Sequence, residues 1–253
     1  MFKKPNDSTQ IVDLSMTFAM DSPVYWPTHH AFEQKSWRSF SAGDGYQTNY
    51  FIMDEHTGTH CDAPAHFIRP EDNKGPSYYG DTIPLLSMMG PLAIIDVTSL
   101  RPQGDDGTSP EIPPQFIQVW EEKHGDIKKG TIVAFRTDWD LFLDSPEMYD
   151  KYVLGPVVLK NSPGWPVPSI ETISYLYGKN IKCFAIDAPS MGASNGGEAL
   201  HQFSLGKNLV FIEGLINLSL VDPRGYDFIF LPLKLANSTG CPGRAIAMKE
   251  VGV

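Results

Sequence analysis

The chain has little with which to cross-link itself, span a membrane or hold a polyanion. Only three of its 253 residues are cysteine, Cys61, Cys183 and Cys241, widely spaced and odd in number. No disulfide framework is therefore expected, and a reducing, cytoplasmic setting fits. No run approaches the length of about 18 apolar residues that a membrane helix needs. The opening Met1-Phe2-Lys3-Lys4-Pro5-Asn6-Asp7 lacks the apolar stretch of a secretory signal. Positive charge is scarce: 20 Lys and Arg against 30 Asp and Glu leave a net charge of −10. That balance argues against nucleic acid and anionic membrane surfaces as partners. There is no Gly-x-Gly-x-x-Gly, no Walker sequence and no internal repeat.

What is present is ordinary in bulk and unusual in one place. A hydrophobic content of 42% with 20% charged residues is that of a globular protein, and 22 Gly with 21 Pro imply many turns. The length suits a single domain over residues 1–253. The unusual place is His56-Thr-Gly-Thr-His60-Cys-Asp62-Ala-Pro-Ala-His66-Phe67, which holds three of the seven histidines. In extended chain His56, His60, Asp62 and His66 share one face, and Cys61 and Phe67 the other. Four ligating or acid/base side chains on one face do not make a core pattern; they suit a metal site. A straight strand would hold His56 and His60 roughly 13 Å apart, so the chain must bend, and Gly58 is the residue able to do it. Cys61 reads as a small packing residue.

Apolar or alternating runs predict strands over Ile11–Ser15, Tyr46–Met53, Leu92–Val97, Thr131–Arg136, Lys182–Ile186, Asn208–Ile212 and Asp227–Leu233. Helices are predicted over Pro114–Lys123, with Phe116, Val119, Trp120 and Lys123 at helical spacing, and over Ser169–Gly178. In the second, Ser169 serves as N-cap, Ile170 and Ile173 face inward and Gly178 stops the helix. A shorter helix fits Glu198–Leu205. The segment Gly155–Pro168, with four prolines and two glycines, predicts a non-helical loop. Periodicity alone gives mixed α and β. Leu209-Val-Phe-Ile-Glu213 reads as a buried strand ending in a carboxylate, a costly placement that a metal ion or a partner such as Lys207 would relieve.

The motif His56-x-Gly58-Thr59-His60-x-Asp62-x-Pro64-x-His66-Phe67 resembles the signature of the cyclase-like metal hydrolases, among them bacterial kynurenine formamidase and isatin hydrolase. Ile11-Val-Asp-Leu-Ser15 with Pro23-Val-Tyr-Trp-Pro27 is similar to the family's opening, and Ile186-Asp187 through Glu213-Gly-Leu215 resembles its second block. The resemblance implies an α/β fold of the β/β/α swivelling-domain type, with a mixed β-barrel-like core and peripheral helices. It implies that His56, His60 and Asp62 hold one metal and that Asp62, His201 and Glu213 hold a second. Asp62 would bridge, and His66 would act as acid/base rather than ligand. Imidazole and carboxylate donors suit two Zn²⁺ ions or Mn²⁺. A homodimer or homotetramer is also implied.

The expected chemistry is hydrolysis of a C–N amide bond: a metal-bound hydroxide attacks the carbonyl and His66 carries the proton. The expected partner is a small aryl amide or cyclic amide, such as N-formylkynurenine of tryptophan catabolism. Isatin or a lactone would use the same site, and a non-catalytic metal-binding protein is the alternative from another class. Tyr25, Trp26 and Phe67 are candidate substrate contacts, forming an aromatic wall. His29 and His30, after Trp26-Pro27, read as surface loop residues, with substrate contact as the alternative. Ser190 lies in Ala-Pro-Ser-Met-Gly, which is not a nucleophile elbow. The chain departs from compact kynurenine formamidases at Arg101–Pro114, Tyr149–Pro168 and Met191–Gly197, which match larger members better.

Overall fold

The structure is a computed structural model describing residues 9–22, 26–100 and 104–250. Twelve strands are formed among them. They are β1 (Thr9–Asp13), β2 (Glu33–Arg38), β3 (Thr48–Ile52), β4 (His60–Asp62), β5 (Met89–Asp96), β6 (Glu111–Ile112), β7 (Ile132–Arg136), β8 (Val167–Pro168), β9 (Cys183–Ile186), β10 (Val210–Glu213), β11 (Asp227–Pro232) and β12 (Gly240–Glu250). The helices are α1 (Pro114–His124), α2 (Tyr149–Tyr152), α3 (Ile170–Gly178) and α4 (Glu198–Leu205).

Seven strands close into a barrel in the order β12-β11-β5-β7-β9-β10-β4, with β4 returning to β12 and β1 added outside β12. The run β5-β7-β9-β10 is parallel and the remaining barrel pairings are antiparallel. The mixed barrel with peripheral helices agrees with the expected fold class. Closure removes the open edges a sheet would otherwise expose.

The parallel strands are apolar almost throughout because both of their faces are covered. Leu92, Ile94, Ile132, Ala134, Cys183, Ala185, Val210 and Ile212 fill the barrel interior. Their alternates Ala93, Ile95, Val133, Phe135, Phe184, Ile186 and Phe211 pack outward with α1 and α3 residues Ile117, Trp120, Ile173 and Leu176. Glu213 therefore belongs to the outward face of β10, with Phe211.

Three local expectations need correction. On α1 the buried residues are Ile117, Trp120 and Glu121, whereas Val119 is 63% exposed; the covered stripe is rotated because Glu121 is drawn inward to α3. On α3, Ser169 caps Thr172 as expected, but Ile170 is 37% exposed and the left-handed residue after the helix is Asn180 rather than Gly178. Gly155–Leu159 forms a π-helical turn continuing from α2. It tolerates Pro156 because a proline in a first turn forfeits no helical hydrogen bond. Strands β2, β4 and β12 carried no clear periodic signal.

Glu121 joins α1 to α3. It accepts from Ile127 N at 2.7 Å, Lys179 Nζ at 2.9 Å and Tyr175 Oη at 2.7 Å. Burial opposes its ionisation, but these donors outweigh burial and hold its carboxyl below its ordinary value of 4.5. A lowered carboxyl stabilises the fold above that pH and stops doing so as the pH falls through its folded value. Glu121→Ala is expected to cost about 1.5–3 kcal/mol at neutral pH in urea unfolding, and the gap to wild type should narrow below about pH 4. A gap independent of pH would contradict the ionic reading.

Candidate metal centre

The site is assembled where β4 is clamped between two strands. Its three residues pair with β10, Glu213 opposite His60 and Phe211 opposite Asp62, and with β12, Gly240 opposite Asp62 and Pro242 opposite His60. Alternation sends Cys61 into the barrel interior, fully buried, and sends His60 and Asp62 outward onto the face that carries Glu213. The bend predicted at Gly58 is present: its φ is +62°, and a Cβ there would lie 2.3 Å from the Phe18 ring. It brings His56 back beside Asp62, and a short 3₁₀ turn over Pro64–His66 presents His66. His201 reaches in from α4.

Asp62 is the hub. Its Oδ1 lies 3.0 Å from His56 Nδ1 and 3.4 Å from His60 Nε2, and its Oδ2 lies 3.4 Å from His201 Nε2. His201 Nε2 is also 3.2 Å from Glu213 Oε1, and His60 Nε2 is 3.7 Å from Glu213 Oε2. The rings of His56 and His66 stack at 3.8 Å. The structure thus brings His56, His60, Asp62, His66, His201 and Glu213 together. Groups of ligating atoms within 4.8 Å of one another are His56–Asp62–His66 and His60–Asp62–Glu213. Asp62 is common to both groups.

The donor chemistry fits a divalent cation. His60 Nδ1 is 2.8 Å from the Gly58 carbonyl and His201 Nδ1 is 2.9 Å from the Gly197 carbonyl. Each ring donates there and turns Nε2 toward carboxylates, the orientation that outer hydrogen bonds impose on metal-ligating histidines. Asp62 Oδ2 is buried without a hydrogen-bond partner among the described residues. Buried together, these groups shift one another's ionisation. Burial opposes protonation of His60 and His201, but Asp62 and Glu213 outweigh it and raise them to about 9 and about 10. Burial likewise opposes ionisation of Asp62, and the surrounding imidazoles of His201, His56 and His60 hold it well below its ordinary range. For His66 burial dominates; although Asp62 opposes, the neighbouring His56, His201 and His60 assist, and it falls to about 4. His66 is thus a neutral imidazole beside a charged cluster.

Neighbouring groups fix these side chains. Glu213 Oε1 accepts from Met191 N at 2.6 Å and from Ser190 Oγ at 3.4 Å. Glu55 accepts from Thr239 N and Oγ1 at 2.7 and 2.8 Å, and Thr239 Oγ1 stands 3.2 Å from His56 Nε2.

A cleft of about 240 Å³ opens onto the cluster. Trp26 and Phe67 line it, and Phe67 stacks on His201 at 4.6 Å; Tyr25 lies outside the described residues. His29, read as a surface residue, also lines the cleft, with Nδ1 3.3 Å from Asp54, whereas His30 is exposed. Burial pushes His29 below its ordinary value, against the pull of Asp54. Tyr152 and Ser190 line the cleft as well. Neither has a local sequence signal, since the barrel's return brings them from distant segments. A second acidic group, Asp138–Asp140–Asp187, is already engaged: Thr137 and Asp138 donate to Asp187, Arg136 to Asp138 and Asn217 N to Asp140.

Known proteins resemble this chain over most of its length. The Cyclase family, described as "Putative cyclase", matches residues 12–193, a span that includes the His56–His66 motif and stops short of His201 and Glu213. An isatin hydrolase of Roseibium aggregatum is 29% identical, over 95% of this chain and 87% of that protein. A kynurenine formamidase of Salinibacter ruber is 27% identical, over 93% of this chain and 96% of that protein. Among solved structures, isatin hydrolase A from Labrenzia aggregata superposes with a TM-score of 0.82 at 28% identity, covering 96% of this chain and 94% of that one.

Gly240 backs the site. A Cβ there would fall 2.5 Å from His56 Cε1 and 2.7 Å from both ring nitrogens. Gly240→Ala is expected to keep the barrel's circular dichroism while weakening Zn²⁺ binding about tenfold or more in calorimetric titration. Unchanged affinity would show that His56 plays no part in holding the ion.

Proposed function

This chain belongs to the Cyclase family, and on that premise we propose that it is a metal-dependent hydrolase of a C–N amide bond in a small aryl amide or cyclic amide. The observation that carries the reading is Asp62, a buried carboxylate flanked by three imidazoles with one oxygen unpartnered. We read His56, His60, Asp62, His201 and Glu213 as the ligands of Zn²⁺ or Mn²⁺, with two ions sharing Asp62. The hard and borderline donors suit both metals. A bound divalent ion would supply Lewis acidity and make water a nucleophile near neutral pH.

The chain's own residues supply the rest. His66, neutral and within ring-stacking distance of His56, is placed to accept a proton from the nucleophile and return it to the leaving nitrogen. Trp26 and Phe67 offer flat apolar faces to an aryl ring. Glu213 is locked by Met191 N and holds His201, so Ser190 serves here as a hydroxyl beside a carboxylate rather than as a nucleophile. The relatives named isatin hydrolase and kynurenine formamidase support both substrate types. An aryl formamide is our first choice and the cyclic amide isatin the second; the segments that would shape the difference are Tyr149–Pro168 and Met191–Gly197, which reach the cleft at Tyr152 and Ala193, and Arg101–Pro114, of which residues 101–103 lie outside the described ones.

We also read the chain as one domain over 1–253 and as a homodimer or homotetramer. Trp37, Phe40, Tyr46 and Phe51 of the β2–β3 hairpin are more than half exposed, an apolar surface of the kind that assembly covers. Light scattering should give twice or four times the 28.1 kDa chain mass, and calorimetry one unfolding transition; a monomer would refute the assembly. No helix of the described residues is long and apolar enough to cross a membrane.

Metal-stripped protein reloaded with Zn²⁺ or Mn²⁺ should hydrolyse N-formylkynurenine or isatin. His66→Ala should keep its metal and lose turnover by about 100-fold or more, while Asp62→Ala loses both metal and turnover. Full metal in Asp62→Ala would refute the bridging assignment, and metal loss in His66→Ala would make His66 a ligand.

A further inference from the structure

The Tyr152 hydroxyl is a buried polar atom of the cleft wall with no hydrogen-bond partner among the described residues. Tyr152 is 1% exposed and lines the cleft, yet its hydroxyl is buried without a hydrogen-bond partner. Its position is rigid. Trp139 Nε1 donates to the Tyr152 carbonyl at 2.9 Å, Trp139 packs edge-on against Trp165 at 5.9 Å, and Trp165 Nε1 donates to the Gly192 carbonyl at 2.9 Å. A buried hydroxyl with no partner destabilises a fold, and phenylalanine would pack the same wall without that cost.

We infer that Tyr152 is a substrate contact whose phenol donates a hydrogen bond to a carbonyl oxygen of the bound acyl compound. The inference rests on the amide-hydrolase reading above. Donation is the role its surroundings permit. Burial raises the phenol well above its ordinary value, and the carboxylates of Asp140, Asp187 and Glu213 raise it further. It stays protonated and neutral, so it is a donor and not a base. A phenol that keeps its proton needs an acceptor, and a carbonyl oxygen is the acceptor an acyl compound presents. A site built to satisfy such an acceptor penalises the complex in which the bond is missing.

The test is Tyr152→Phe in the full chain, reloaded with Zn²⁺ or Mn²⁺ beside wild type. Metal content and melting temperature should equal or exceed those of wild type, because no protein hydrogen bond is lost. The kcat/KM for isatin or N-formylkynurenine should fall about tenfold to 100-fold. Unchanged kcat/KM overturns the inference, and so does a melting temperature lower by more than about 5 °C, which marks a structural hydroxyl. Absence of turnover in wild type overturns the hydrolase reading separately. In that case binding of isatin to the two metal-loaded proteins decides: affinity about tenfold weaker in Tyr152→Phe supports the contact, and equal or absent binding in both overturns it.

Discussion

Everything in the site follows from the burial of one carboxylate. Asp62 is 1% exposed, and an ionised carboxylate in such a place is tolerated only where positive charge surrounds it. Three imidazoles meet that demand at 3.0–3.4 Å. They can do so because β4 is held on both edges, by β10 and by β12, and cannot slide without turning Asp62 into the barrel and Cys61 out of it. Barrel closure and site assembly are thus one event. The same strand pairing that ends the sheet's edges sets His60 opposite Glu213.

The barrel also explains why the chemistry lies on its outer face. Its interior is filled by aliphatic, aromatic and cysteine side chains from every barrel strand, leaving no room for a ligand. The outward face of β10 and β4 is covered only partly, by α4 and the segment from Pro189 to Gly197. Helices α1 and α3 pack on the outward face of the parallel strands. In the cleft polar strand residues replace apolar ones, and its rim is drawn from segments far apart in sequence: Trp26, Phe67, Tyr152 and Ser190.

Much of this was legible in the residues. A run of His, Asp, Gly and Pro at fixed spacing is chemically specific, and the bend at Gly58 followed from distance alone. Most central strands were visible because burial on two faces makes their apolar runs continuous. What stayed hidden has physical reasons. Strand β12 begins Gly240-Cys-Pro-Gly243, residues that weaken any strand signal, yet it is held by β1, β4 and β11 at once. Strand β4 is too short for a period to register. The α1 stripe was misjudged because Glu121 is buried by partners on α3, which local spacing cannot reveal. His29 and Tyr152 acquire their places from tertiary contacts alone, and the π-helical turn at Gly155–Leu159 runs against the proline content of its segment.

The central claim is that Asp62 sits between two ions held by imidazoles and carboxylates on one face of β4 and β10. Anomalous diffraction at the zinc edge, on crystals of protein stripped and reloaded with Zn²⁺, tests it without reference to any substrate. The account predicts two peaks, each about 2.0–2.2 Å from an Asp62 oxygen, with His201 and Glu213 at one and His56 and His60 at the other. A single peak that leaves His201 and Glu213 unligated, or a peak at Asp138, Asp140 and Asp187 instead, would contradict it.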